Sequence, residues 1–398
     1  MAEIFALSEA DVLDAVRAAR EHRRALEIVG GGTRQSFGRP TQCDDVLNLS
    51  GLSGILNYEP EELIVTVKPG TPLADIESVL SEKNQRLGFE PQDWRALLGS
   101  QGTPTIGGAI SANANGPAAI RFGRARDHLL GFRAVNGFGE AYKGGSKVVK
   151  NVTGFDLPKL MCGAMGTLGV LTEVTLRVFP KREVSSTFAI GGLQDEEGLA
   201  LLRKVWSSSL EATCVALLSN GVARQLGEMP QRGGGIVNGS FAVIRLEGSS
   251  STLSEKSQLL NDLLKGCSPV EIEASPTLFA GIGGASFFEN ALEDVWLLQI
   301  PHTTAADCVY DFDGRWSADW AGTRLWLSQT AGLSGSDWRS VADRVGSTAI
   351  LVRASEETRK RVAPFHPEQS KRTALTRAVK AAFDPLGIFN PGRMYEGV

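Results

Sequence analysis

The chain has 398 residues, of which 42% are hydrophobic and 22% charged, with a net charge of −4. That length accommodates two or three domains of the usual ~100–200 residues each, and the balance is ordinary for a globular protein. The slight acidity gives no electrostatic reason to expect nucleic acid or an anionic membrane as the main partner, and no apolar run approaches the ~18–20 residues of a membrane span.

In chain order, Ser8 to Arg24 is predicted to be a helix: Ser8 caps it, Asp11 completes a short-armed capping box, and Val12, Leu13, Val16 and Ala19 fall at helical spacing. Strands are predicted at Leu26–Val29, Val46–Leu49 and Leu63–Val67, then a helix from Thr71 or Pro72 to about Gln85. Residues 99–117 are loop-like with a helix inside. Leu130–Val135 reads as a strand, Asn136-Gly137 as a hairpin turn, Phe155–Cys162 as a short helix and Gly169–Val178 as a β-branched strand. Phe179-Pro180-Lys181 ends that strand and marks a domain boundary. Beyond it, Phe188–Ile190, Ala242–Leu246 and Trp296–Ile300 are strand-like, Leu199–Trp206 and Leu253–Leu264 are helical, and Gly233-Gly234-Gly235 is a turn. A tail helix is expected over Lys371–Phe383. The alternation makes the first part α/β or α+β and suggests a second, α+β domain, with expected domains at 1–180, 181–365 and 366–398.

The five cysteines (Cys43, Cys162, Cys214, Cys267 and Cys308) are scattered, which speaks against a metal or redox pair and against iron–sulfur ligation by this chain. A sparse, odd set suits a reducing compartment. Met1-Ala2-Glu3-Ile4-Phe5 does not read as a secretory signal, so the expected location is cytoplasmic.

Three loops carry candidate chemistry. In Gly30-Gly31-Gly32-Thr33-Arg34-Gln35-Ser36 a strand runs into three glycines, hydroxyls and a cation. Successive glycine N–H groups can form a nest for oxyanions; the alternative is a tight strand-to-turn connection. In Thr105-Ile106-Gly107-Gly108, Thr105 opens a small-residue helix whose N-terminus is expected to attract phosphate; the alternative is close helix packing. The glycines of Gly163-Ala164-Met165-Gly166-Thr167-Leu168-Gly169-Val170 precede a strand, at a spacing that is not the GxGxxG dinucleotide fingerprint. Gly281-Ile282-Gly283-Gly284-Ala285-Ser286 is a partial match that lacks the last glycine. His22, His128, His302 and His366 form no metal-ligand spacing with one another or with cysteine, so no metal is expected.

The order of Val29–Arg34, Val65–Gly70, Thr105–Gly116, Arg126–Gly131 and Gly166–Glu173 resembles the FAD-binding domain of the vanillyl-alcohol oxidase and p-cresol methylhydroxylase (PCMH-type) flavoproteins. Phe89–Trp94, Val148–Leu157, Asp319–Trp326 and Phe389–Tyr395 are similar to the E-subunit family of bacterial glycolate oxidases. The resemblance implies a two-subdomain PCMH-type FAD-binding domain, a smaller α+β cap domain, and a C-terminal helix and tail returning to the FAD domain. It also implies FAD as cofactor. Gly30, Gly31, Gly32, Thr33, Arg34 and Ser36 would hold its diphosphate, with Thr105, Ile106, Gly107 and Gly108 closing on the other side. Asn113 and Gly116 would lie nearer the ribityl chain or ring, and Gly166, Gly169 and Val170 would border the adenosine half. Many such relatives tether flavin through a histidine in the first loop. None stands here, so the FAD is expected to be non-covalent.

The implied activity is oxidation of glycolate, a 2-hydroxy acid, to glyoxylate, with a D-type flavoprotein subunit and an F-type iron–sulfur subunit as partners. Contact with the inner membrane would then run only through those partners. The histidine-rich segment of D-type relatives is missing. No catalytic residue is assigned; Arg324, Arg393 and His302 are the candidates for a carboxylate-binding cation or a base. The alternatives are a non-catalytic FAD-binding scaffold or electron relay, and a nicotinamide-dependent reductase on the same fold.

Overall fold

The computed structural model describes residues 1–146, 155–226, 239–273, 276–289, 293–330 and 336–398. The Val148–Gly154 part of one family-like stretch and the Gly233-Gly234-Gly235 turn lie outside the described residues. The chain divides into two compact units, one of residues 1–115, 123–181 and 359–398, the other of residues 116–122 and 182–358.

The first unit opens with strand β1 (Ala2–Phe5), helix α1 (Glu9–His22), β2 (Leu26–Val29) and β3 (Asp45–Asn48). The strands form a parallel sheet in the order β1-β3-β2. Helix α1 starts where its capping box dictates: Asp11 N–H donates to Ser8 Oγ (3.2 Å), and Asp11 Oδ2 accepts from Ser8 N–H (2.8 Å). Its apolar stripe, Val12, Ala15, Val16 and Ala19, is buried in a core with Leu26, Leu47, Leu49, Val135, Val170, Ile388 and Phe389. The last two come from the C-terminal tail. Phe389 is fully buried and bridges Leu26 in parallel register, so the tail extends the edge of this sheet. Burying that one ring is worth about 1.5–3 kcal/mol.

Next come β4 (Ile55–Glu59), β5 (Ile64–Val67), α2 (Leu73–Glu82), β6 (Gln85–Arg86), β7 (Leu129–Val135), β8 (Ala141–Gly145), β9 (Val170–Arg177) and β10 (Phe179–Pro180). Five of these make an antiparallel sheet ordered β4-β5-β9-β7-β8. Phe179-Pro180, expected only to end a strand, instead pairs antiparallel with Gln85-Arg86. Leu63, expected inside a strand, takes a left-handed conformation (φ 57°) that ends the preceding 3-10 turn, and β5 begins one residue later.

The second unit is one antiparallel sheet ordered β14-β11-β13-β12-β16-β17-β15-β18. Its strands are β11 (Val184–Leu193), β12 (Cys214–Leu218), β13 (Ser240–Gly248), β14 (Val270–Ile272), β15 (Glu293–Gln299), β16 (Arg315–Asp319), β17 (Arg324–Thr330) and β18 (Thr348–Arg353). The Asp195–Trp206 and Ser250–Leu263 helices pack on it. Among the described residues, no helix is long and apolar enough to cross a membrane.

Candidate active site

In the first unit β2 runs directly into the triple-glycine loop, and the Thr103–Gly108 segment lies against it backbone to backbone. A Cβ on Gly31 would stand 1.6 Å from Thr103 O, and one on Gly102 would stand 1.6 Å from Gly31 O. Both glycines are required by this contact between loops, independently of any ligand. A Cβ on Gly30 would meet Thr105 Oγ1 at 2.7 Å.

The cavity between the two segments is lined by Gly30, Gly31, Gly32, Thr33 and Arg34 from one side and by Thr105 and Gly108 from the other. An adjoining cavity shares Gly30, Thr105 and Gly108 and adds Gly107, Gly166 and Gly169. The remaining sequence candidates line neither. Ser36 Oγ reaches Leu98 O at 3.5 Å. Ile106 is fully buried, and Val170 belongs to the α1 core. Asn113 is left-handed (φ 47°), with its carbonyl accepting from Asn115 Nδ2 (2.5 Å). Gly116 lies in the second unit, where its carbonyl accepts from Trp320 Nε1 (2.9 Å).

One expected mechanism is corrected. The Ile106–Ser111 helix presents no free first-turn amides. Ile106 N–H donates to Thr71 O (3.1 Å), Gly107 N–H to Pro69 O (2.8 Å) and Gly108 N–H to Thr105 Oγ1 (3.4 Å). In the triple-glycine loop, by contrast, the N–H groups of Gly30, Gly31 and Gly32 find no acceptor among the described residues.

Positive charge comes from Arg34. It is only 8% exposed and donates one Nη2 bond to Gln92 O, and its guanidinium lies 5.5 Å from the Trp94 ring centroid. Its Nε and Nη1 have no hydrogen-bond partner among the described residues. Burial pushes its pKa down to about 10, against a small opposing effect of Asp93, so it remains a cation at neutral pH. Buried donors without acceptors are costly, and here they face a glycine-lined concavity. That chemistry fits an anionic diphosphate.

The tail, expected to return to the FAD domain, also lines this site, where the sequence assigned Arg393 only as a candidate for substrate and Asn390 not at all. Asn390 and Arg393 line the same cavity. Asn390 Oδ1 accepts from Ile28 N–H (2.9 Å) while its Nδ2 donates to Met165 O (2.8 Å), fastening β2 to the third glycine loop. A Cβ on Gly166 would stand 2.7 Å from Asn390 Nδ2, and Gly166 has φ 70°, so glycine is needed there twice over.

Residues 2–145 match the family model of the FAD binding domain. That segment is an FAD binding domain, and FAD is the chain's cofactor. Over 96% of its length and 96% of the relative's, the flavoprotein is 29% identical to the glycolate oxidase subunit GlcE of Escherichia coli K12. It is 22% identical to the glycolate oxidase subunit GlcD of Bacillus subtilis 168, over 94% of this chain and 84% of that one. A D-2-hydroxyglutarate dehydrogenase of Xanthomonas citri is 35% identical over 42% of this chain and 34% of its own. In fold the flavoprotein is similar to p-cresol methylhydroxylase with substrate bound, at TM-score 0.71 and 15% identity over 99% of this chain and 88% of that one. It is similar also to 4-ethylphenol oxidase from Gulosibacter chungangensis, at TM-score 0.72 and 13% identity over 99% and 89%. The α+β PCMH-type fold, FAD as cofactor and kinship with FAD-linked oxidoreductases follow.

The three residues considered for substrate chemistry fare differently. Arg324 is 3% exposed and grips buried Asp319 through Nε (2.6 Å) and Nη2, so its charge is already matched. His302 is exposed. Arg393 sits at the glycine loop. His128 is buried between Phe89 and Phe179 with Nδ1 3.3 Å from Arg177 O, a structural placement. Among the described residues, no group of three or more His, Cys, Asp or Glu side chains could hold a metal ion.

Proposed function

We propose that this flavoprotein is the cytoplasmic FAD-binding subunit of a glycolate oxidase complex that oxidises glycolate to glyoxylate and passes the electrons to an iron–sulfur partner beside a D-type subunit. The similarity to GlcE over 96% of both chains carries this reading. Bound FAD supplies a two-electron acceptor. The chain's own residues would hold it: Gly30–Arg34 with Thr105 and Gly108 at the diphosphate, and Gly107, Gly166 and Gly169 along the adjoining cavity. Among the described residues, no His, Cys or Tyr lines either cavity, which supports dissociable flavin. Acid precipitation is expected to leave the flavin in the supernatant; a yellow pellet would count against a non-covalent cofactor.

A second reading has support of its own. The Arg324–Asp319 pairing and the exposure of His302 leave neither of them placed as a carboxylate receptor or buried base. The chain would then relay electrons while a D-type partner oxidises the substrate. Adding glycolate anaerobically to the flavin-loaded isolated chain separates the two: bleaching supports oxidation on this chain, while bleaching only in the co-purified complex supports the relay.

A further inference from the structure

We propose that Arg393, in the C-terminal tail, is a second ligand of the FAD diphosphate and forms with Arg34 a two-cation receptor at the triple-glycine loop. This rests on the reading of that loop as the diphosphate site.

Both guanidiniums line one cavity, and both are more than nine-tenths buried, at 8% exposure for Arg34 and 7% for Arg393. They are locked together: Arg393 Nη2 donates to Arg34 O (2.8 Å). The tail backbone fixes the placement, because Arg393 O accepts from Arg39 N–H (2.9 Å) and Arg393 N–H donates to Asn390 O (3.0 Å).

The local charge does not balance. No carboxylate lies within 4.0 Å of Arg34 among the described residues, since nearby Asp93 is bonded to Arg95 (2.7 Å). Among the described residues, Arg393 has only Glu27 as a paired carboxylate, at 3.5 Å. Arg34 Nε, Arg34 Nη1 and Arg393 Nε all lack hydrogen-bond partners among the described residues. Burial lowers the pKa of both arginines; for Arg393, Glu27 opposes the shift and Arg359 adds to it. A buried charge short of a counter-charge is destabilising. Two buried guanidiniums that share the single carboxylate of Glu27 beside open glycine amides are matched by an anionic ligand. The guanidinium fork suits the paired oxygens of a phosphate.

The test titrates the full-length apo chain with FAD and with riboflavin, which lacks phosphate, following flavin fluorescence. Arg393→Met is expected to weaken FAD by about tenfold or more, the loss of one charge-assisted hydrogen bond, and to leave riboflavin affinity unchanged. Arg393→Lys should recover part of the loss. Inorganic pyrophosphate at millimolar concentration should raise the melting temperature of the wild-type apo chain, while glycolate at the same concentration should not. Equal weakening of FAD and riboflavin overturns the proposal, as does an unchanged FAD affinity or stabilisation by glycolate instead of pyrophosphate. If Arg393→Met does not fold, the pyrophosphate response of the wild type decides. A wild-type chain that binds FAD beside an indifferent Arg393→Met removes only this proposal. A wild-type chain that binds neither FAD nor pyrophosphate removes the diphosphate reading of the loop as well.

Discussion

Gly31→Ala is expected to abolish flavin retention and to destabilise the FAD-binding unit by about 3 kcal/mol or more, at or beyond the upper end of ordinary overpacking. The reason is the neighbour that the new methyl would strike. It is the carbonyl of Thr103, 1.6 Å from the ideal Cβ position, and a backbone group cannot swing away like a side-chain tip. Gly102→Ala should behave alike, because its Cβ would meet Gly31 O at 1.6 Å. In either variant the two segments must part. Gly108→Ala provides the contrast, since its Cβ would meet nothing closer than Thr105 Oγ1 at 3.4 Å. It should leave apo stability near the wild-type value, so that any loss of flavin reflects crowding of the cavity alone. Thermal unfolding of the apo chains and flavin absorbance of the purified proteins check all three. A stable, yellow Gly31→Ala protein would show that the loop contact is not needed.

The same contact shows how far the sequence could be read. The glycine loops stood out because strand-then-glycine is a local pattern, and the cofactor inferred from their order stands. Their physical reasons were only half visible. Gly31 and Gly102 answer to each other across 71 residues, which no local window reports. The Thr105 helix drew attention as an anion site through its N-terminus, yet its amides are engaged by Pro69 and Thr71, carbonyls supplied by the chain before it. Local signals did well where the cause was local, as in the Ser8–Asp11 capping box. They failed for Cys214–Leu218, a short strand buried at every position, so that no period-two alternation marks it. The order of the eight-stranded sheet was unreadable too, because β12 pairs with β16 across about a hundred residues. In the sequence Phe89–Trp94 and Phe389–Tyr395 stand out as family-like stretches, with Arg393 alone considered for chemistry, and for substrate rather than cofactor. The structure gives them work: Gln92 and Trp94 form the wall behind Arg34, and Asn390 and Arg393 close the cavity.

That long-range closure makes the anchoring of the tail the second place where one change should have a large effect. Lys380, in the Ser370–Phe383 helix, is 5% exposed, and its Nζ donates to Asp384 Oδ2 (2.7 Å), Thr167 O (2.7 Å) and Phe389 O (3.0 Å). Asp384, 1% exposed, accepts from the N–H groups of Ile388 (3.1 Å) and Phe389 (2.8 Å). One ion pair thus joins the helix, the tail and the third glycine loop. Burial works against the charge on Lys380 and lowers its pKa, while Asp384 raises it, so the ammonium depends on that carboxylate. Lys380→Met leaves Asp384 buried without its counter-charge, and breaking a buried pair in this way costs about 3–5 kcal/mol. The double variant Lys380→Met/Asp384→Leu should be more stable than Lys380→Met alone, because it removes the stranded charge as well. It should stay below wild type, because Ile388 and Phe389 lose their acceptor. Urea unfolding of the two singles and the double measures this coupling. Phe389 precedes Asn390 and Arg393 directly, so Lys380→Met should also weaken FAD binding in the protein that remains folded. A Lys380→Met chain that is destabilised but binds FAD like wild type would place the tail's contribution in stability alone. Loss of both would mean that the cofactor site is held in shape from a helix, Ser370–Phe383, that is on no wall of the cavity.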